Sequence, residues 1–272
     1  MDALNIIDAG FCYGNTAIFE NVNISIPEGG TFCILGPNGC GKTTLVDAVL
    51  GILRLNTGQI LLNNQNINQL SPHQIARQMA YVPQKHNRHF SFSVMDVLLM
   101  GRTAYTSFFE SPGPEDRAMA EHTLESFDLT HLKNRDYTQL SGGETQLVMI
   151  MRALVQDTPV IVMDEPTAHL DFKHELSVLE TIVQLVKKKK RTLIMATHFP
   201  NHAFYLENEG INVQVAFMKA KKVIPAGSPS TALTEKNIET YYGVKTCVIS
   251  HPLAKNRTIK QIIPLQTKKE IP

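Results

Sequence analysis

The chain has 272 residues, 43% of them hydrophobic, enough to bury one substantial core or two closely packed subdomains. Lys and Arg number 26 against 25 Asp and Glu, a formal charge of +1, so no global basic field points to nucleic acid and no acidic excess points to disorder. No apolar run approaches the roughly 20 residues that cross a bilayer, and the early acid of Met1-Asp2-Ala3 is unlike a secretory signal, so a cytosolic location is expected.

In chain order, residues 31–35 predict a buried strand and residues 43–50 the helix that follows it, stopped near Gly51. Ser71-Pro72 reads as an N-cap with a first-turn proline, opening a helix that runs towards Met79, and Tyr81 starts a short strand. Between Phe90 and Val155 strand signals vanish, while residues 93–100, 114–127 and 142–155 carry apolar side chains at helical spacing. Buried strands resume at 160–164 and 192–197, separated by a helix from about Lys173 to Lys188. This alternation predicts an α/β fold with a largely parallel sheet and an inserted α-helical subdomain. Lys187 to Arg191 reads as a solvated helix terminus whose cations favour the negative end of the macrodipole, with contact to anionic lipid as the alternative. Cys12, Cys33, Cys40 and Cys247 match neither zinc nor disulfide spacing and read as reduced thiols.

Gly36-Pro37-Asn38-Gly39-Cys40-Gly41-Lys42-Thr43 fits G-x-x-x-x-G-K-[ST] in the required place, after an apolar strand and before a helix. Glycines let backbone N–H groups close around phosphate oxygens, and the helix N-terminus adds positive potential. The candidate phosphate contacts are Gly36, Asn38, Gly39, Cys40, Gly41, Lys42, Thr43 and Thr44, with Thr43 as a Mg²⁺ ligand. Residues 160–165 end a second buried strand on two carboxylates, costly unless metal, protons or hydrogen bonds satisfy them. Asp164 is the expected Mg²⁺ partner and Glu165 the expected base, and with the loop they define a P-loop nucleotide hydrolase. Leu140-Ser141-Gly142-Gly143-Glu144 opens a helix and forms a second anion-binding terminus; alone it is equally a capped helix start.

The phosphate loop, the segment 140–144 and Asp164-Glu165-Pro166-Thr167, in this order, resemble the ATP-binding cassette ATPases over most of residues 1–243. The resemblance implies a RecA-like P-loop NTPase core over about 1–88 and 156–243, with an N-terminal antiparallel β portion. It implies a helical subdomain over about 89–155 and leaves 244–272 as a C-terminal extension. It further implies ATP and Mg²⁺ as ligands and a head-to-tail pair of cassettes, so that Ser141, Gly142 and Gly143 clamp the γ-phosphate held by the other copy. Tyr13 takes the place of the aromatic that stacks on adenine. Gln84 takes that of the glutamine that senses Mg²⁺, Asp171 that of the aspartate in the loop crossing the interface, and His198 that of the histidine that contacts the γ-phosphate. The nine other histidines receive no role. Glu144 to Leu147 and Met151 depart from the common family pattern without touching Ser141, Gly142 or Gly143.

Residues 92–102 and 170–176, with the stretch from Leu233 to Gly243, are similar to importers of iron-siderophore, haem, cobalamin and related metal or oxyanion cargo. That similarity implies integral-membrane permease partners, indirectly a substrate-binding protein, and a peripheral place on the cytoplasmic side of the membrane. Residues 89–101 hold more apolar side chains than one short helix buries, and are expected to contact the permease. The competing readings are a soluble cassette ATPase acting on ribosomes or DNA, and an ATP-gated clamp with negligible hydrolysis.

Overall fold

The structure, a computed structural model, describes residues 1–84, 90–107, 110–189, 191–253 and 257–267. A hairpin of β1 (Asp2–Tyr13) and β2 (Thr16–Pro27) leads into β3 (Thr31–Leu35) and α1 (Lys42–Val49). The chain returns as β4 (Thr57–Leu62) and β5 (Gln65–Asn66), which extend the hairpin into an antiparallel sheet of order β2-β1-β4-β5. Val22, Ile24 and Ile26 alternate with exposed residues along β2, as a sheet with one covered face requires.

After α2 (Pro72–Ala76) and β6 (Met79–Val82) the described residues form the α-helices α3 (Val94–Leu99), α4 (Pro114–Ser126) and α5 (Gly142–Val155). Then β7 (Val160–Asp164), α6 (Phe172–Lys189), β8 (Thr192–Thr197), α7 (Pro200–Asn208), β9 (Val213–Lys219) and β10 (Lys222–Gly227) complete a six-stranded sheet of order β10-β9-β3-β8-β7-β6. Its pairings are parallel except for β10 at the edge. Every residue of β3, β7 and β8 is buried, because both faces are covered: α1 and the antiparallel sheet share one core, α5 and α6 the other. Parallel strands end at one edge, and the loops leaving β3, β7 and β8 there carry the phosphate loop, Glu165 and His198.

The bounds of α5, β7 and β8 agree with the sequence reading. α2 is shorter than expected: its capping box of Ser71 and Gln74 starts it, but pairing of Met79 with Val160 draws the chain into β6 after little more than one turn. Arg191 is not a solvated cation, since its guanidinium pairs with Asp157 and with the Thr158 carbonyl. The four cysteines are free thiols, and burial pushes the pKa of Cys33 up to about 12.

The chain closes with α8 (Pro229–Ala232), α9 (Glu235–Tyr242) and a hairpin of β11 (Val244–Leu253) and β12 (Arg257–Thr267), in the stretch that the sequence reading had left as a C-terminal extension with no element assigned. Two side-chain amides of α7 hold it. Asn201 donates to the Ile262 carbonyl at 3.0 Å and accepts from the Ile262 amide at 2.8 Å. Asn208 does the same for Lys260, at 3.1 Å in both directions. Asn201→Ala removes two bonds at a half-buried contact, a cost of about 1–3 kcal/mol. Hydrogen exchange of the Ile262 amide is therefore expected to quicken by about tenfold or more, with little change in β3 or β8; unchanged protection would show that the clamp does not hold the hairpin.

Candidate nucleotide site

Gly41 joins the phosphate loop to α1 at φ +105°, where a side chain is strained, and a Cβ there would lie 2.6 Å from Ile18 Cγ2 and 2.8 Å from Met218 Cε. The contact from Ile18 places the β1–β2 hairpin over the loop. Tyr13, at the end of that hairpin, is 53% exposed and packs edge-on against Phe11, which leaves a ring face open to solvent. Cys40 turns inward: its sulfur lies 2.7 Å from where a Gly36 Cβ would stand, and burial raises its pKa although Lys42 acts to lower it.

Lys42 is buried, with Nζ 2.9 Å from the Gly36 carbonyl, 3.2 Å from that of Pro37 and 3.1 Å from Glu165 Oε1. Glu165 is buried too, and its other carboxylate oxygen meets His198 Nδ1. The residue sits at φ +49°, a left-handed conformation that costs about 1–2 kcal/mol, and its amide donates to the Ala196 carbonyl at 2.8 Å. That bend turns the carboxylate from the end of β7 back between the loop lysine and the histidine after β8. Asp164 precedes it, 1% exposed, with neither oxygen in a hydrogen bond of full geometry. Burial raises its carboxyl pKa; the nearby Thr43 hydroxyl and Lys42 lower it, and Glu165 raises it further. A buried, under-satisfied carboxylate beside a threonine hydroxyl fits a hard cation such as Mg²⁺. Gln84 leaves the end of β6, the strand paired in register with β7, and is half-buried.

Ser141, Gly142, Gly143 and Asp171 form a second cluster. Ser141 caps α5: its hydroxyl accepts from the Glu144 amide at 3.2 Å while its own amide donates to Glu144 Oε2 at 2.8 Å. Arg135 binds the same carboxylate at 2.5 Å, which gives Glu144 a structural reason to depart from the family pattern. A Cβ on Gly143 would have to displace the His174 side chain, whose Cδ2 lies 2.0 Å from the ideal position. His174 Nδ1 is in turn 2.8 Å from both Asp171 carboxylate oxygens. Two histidines given no role in the sequence thus make defined contacts: His174 here, and His202, which pairs with Glu175 at 2.7 Å. The signal that could have found His202 is its place four residues after His198, one turn into the helix that β8 feeds.

Residues 19–168 match the family model described as ABC transporter. The petrobactin import ATP-binding protein FpuD of Bacillus anthracis is 33% identical over 242 residues, which cover 89% of this chain and 86% of that one. The iron(3+)-hydroxamate import ATP-binding protein FhuC of Bacillus subtilis is 32% identical over 252 residues, covering 93% and 92%. A solved metal-chelate type ABC transporter in an inward-facing conformation superposes with a TM-score of 0.84 at 30% identity, covering 97% of each chain. With the phosphate loop, the carboxylate pair and the cluster of Ser141, Gly142, Gly143 and Asp171 arranged as described, these matches place the chain in the ABC transporter family, as an ATP-binding and ATP-hydrolysing subunit.

Proposed function

We propose that the chain powers import of an iron chelate or related metal complex, working as a head-to-tail pair of cassettes against membrane permease subunits that a substrate-binding protein supplies. The observation that carries the catalytic part is the Glu165 carboxylate, held between Lys42 and His198 at the mouth of the phosphate loop. On binding ATP, Lys42 exchanges the Gly36 and Pro37 carbonyls for phosphate oxygens. Glu165 accepts a proton from the attacking water, and His198 fixes the carboxylate and faces the γ-phosphate. Thr43, Asp164 and Gln84 would hold Mg²⁺, which supplies charge neutralisation on the phosphates. Ser141, Gly142 and Gly143, with Asp171, act on the nucleotide of the other copy, and Tyr13 stacks on the base. No helix among the described residues is long and apolar enough to cross a membrane, which fits a peripheral subunit that leaves passage to its permease.

The cargo rests on the relatives named for petrobactin and iron(3+)-hydroxamate import and on the metal-chelate type neighbour. Vesicles holding the chain with the membrane subunits that co-purify with it are expected to accumulate a ferric hydroxamate when ATP is on the cassette side. ATP-driven uptake of a different cargo class, with ferric chelates excluded, would replace that assignment.

For the permease contact, we take residues 89–155 as the helical subdomain and place the docking surface beside it. Of the apolar residues first considered, Val94, Met95, Val97 and Leu98 are buried, while Phe90 is 71% exposed and Phe92 and Met100 are each 41% exposed; His89 lies outside the described residues. A neighbouring groove of about 360 Å³ is lined by Leu50, Ile52, Ile75, Met79 and Tyr81. Arg152 closes its base on the Tyr81 carbonyl at 3.1 Å, two residues before Pro83-Gln84. An apolar groove tied to a Mg²⁺-sensing glutamine suits a short helix of a permease loop. Ile52→Asp and Phe90→Asp alter exposed positions, where stability changes stay within about 0.5 kcal/mol. They are expected to reduce recovery of membrane subunits with the chain; recovery equal to the parent's would move the contact elsewhere.

A further inference from the structure

The first turn of α6 carries two adjacent side chains that reach in different directions. His174 turns to Asp171 and Gly143, as described. Glu175 turns inward and its Oε1 meets His202 Nε2 at 2.7 Å. His202 is only 2% exposed, and its Nδ1 lies 3.1 Å from the hydroxyl of Thr197, itself fully buried at the end of β8. The Thr197 oxygen also accepts the Phe199 amide at 3.1 Å. One arrangement satisfies every atom: Nε2–H donates to Glu175, the Thr197 hydroxyl donates to Nδ1, and its oxygen accepts from Phe199. Thr197 and Phe199 are the residues on either side of His198.

Ring packing repeats the same connection. The Phe199 ring lies 3.8 Å from that of His198 and 5.2 Å from that of His202, centroid to centroid. His198 is therefore fixed through its backbone by the threonine and through its ring by Phe199, and His202 touches both supports. We propose that His202 and Glu175 are positioning residues for ATP hydrolysis: together they set the turn that aims His198 at Glu165 and tie that turn to α6, the helix that follows Asp171. The proposal rests on the reading in which Glu165 and His198 act on the γ-phosphate. Neither His202 nor Glu175 needs to touch nucleotide. Their loss should consequently act on turnover and not on ATP affinity.

A buried histidine with both nitrogens engaged also occurs as plain core structure, so the test must separate aim from stability. Phosphate release is measured with the full chain and Mg²⁺-ATP at several ATP concentrations, beside a thermal melt of each variant. His202→Leu is expected to lower kcat by about tenfold to a hundredfold, the scale of a misplacement near 1 Å. KM for ATP is expected to change by less than about twofold, the mark of an interaction used only in the transition state. In His202→Gln, the side-chain amide can still donate to Glu175 and accept from Thr197, so kcat should return to within about threefold of the parent. Glu175→Leu, at a position one-third exposed, should repeat the loss and decides the matter if His202→Leu fails to fold.

His198→Ala is the control. If it cripples hydrolysis while His202→Leu and Glu175→Leu do not, the positioning proposal is wrong and the catalytic reading stands. If His198→Ala leaves the rate unchanged, the catalytic reading itself is wrong. A glutamine variant no better than leucine, or losses of kcat that follow the folded fraction, would reduce His202 to core structure.

Discussion

Glu165→Gln is expected to lower ATP hydrolysis by about a thousandfold, within the range that a lost general base accounts for, while ATP binding persists. Glutamine keeps the length and planarity of the side chain, so the left-handed turn at this position is not asked to accept a new shape. What disappears is the capacity to take a proton from water and the charge facing Lys42 and His198. Lys42 retains the Gly36 and Pro37 carbonyls, so the loop keeps its form in the absence of nucleotide. With hydrolysis blocked and binding intact, the variant should accumulate as an ATP-dependent dimer in sedimentation. A single-turnover rate within about tenfold of the parent would be too small a loss for a base and would assign proton transfer to another group.

Ser141→Arg is expected to abolish ATP-dependent closure while the isolated subunit still binds nucleotide. The structure separates its two consequences. Losing the cap of α5 costs about 1 kcal/mol, a small part of the stability of a domain, so the variant should fold. Placing a long side chain over the first turn of α5, however, blocks the helix terminus that an incoming γ-phosphate must reach. Turnover should fall by about a hundredfold or more, the loss typical of a removed anion-stabilising site. The decisive measurement mixes Ser141→Arg with Lys42→Ala. In a head-to-tail pair one composite site then carries both lesions and the other carries neither, so part of the closure returns. Mixtures as inactive as either variant alone would exclude the trans arrangement.

Much of this site was legible because its parts are local. A phosphate loop between an unbroken apolar strand and a helix, or two acids at the end of another such strand, needs no knowledge of distant residues. The bounds of β7, β8 and α5 followed from the same continuity. The contacts that organise the site were not legible. Nothing near Gly143 announces that the ring of His174 will lie on it, and nothing near Thr197 announces Glu175. Val94, Met95, Val97 and Leu98 were expected at the permease contact, since groove and core both demand apolar side chains; packing of α3 against α5 decided for core. The terminal hairpin was hidden for another reason. Pro252 and Pro264 interrupt the donor pattern of its strands, and the amides that anchor it come from Asn201 and Asn208, which on a helix read as ordinary surface.

The place of β3 between β8 and β9 has a consequence for how the protein is made. The phosphate loop leaves the ribosome well before the strands that flank its own strand, which are synthesised much later, in pairings such as Thr31 with Leu193 and with Val213. Until then a strand destined to be fully buried has no neighbours, and nascent chains with such distant pairings fold slowly and expose aggregation-prone surface. Nucleotide binding can therefore mature only once β9 has been made, and chains arrested before β9 should be clients of chaperones and proteases, without competing as partial cassettes for ATP or for membrane subunits.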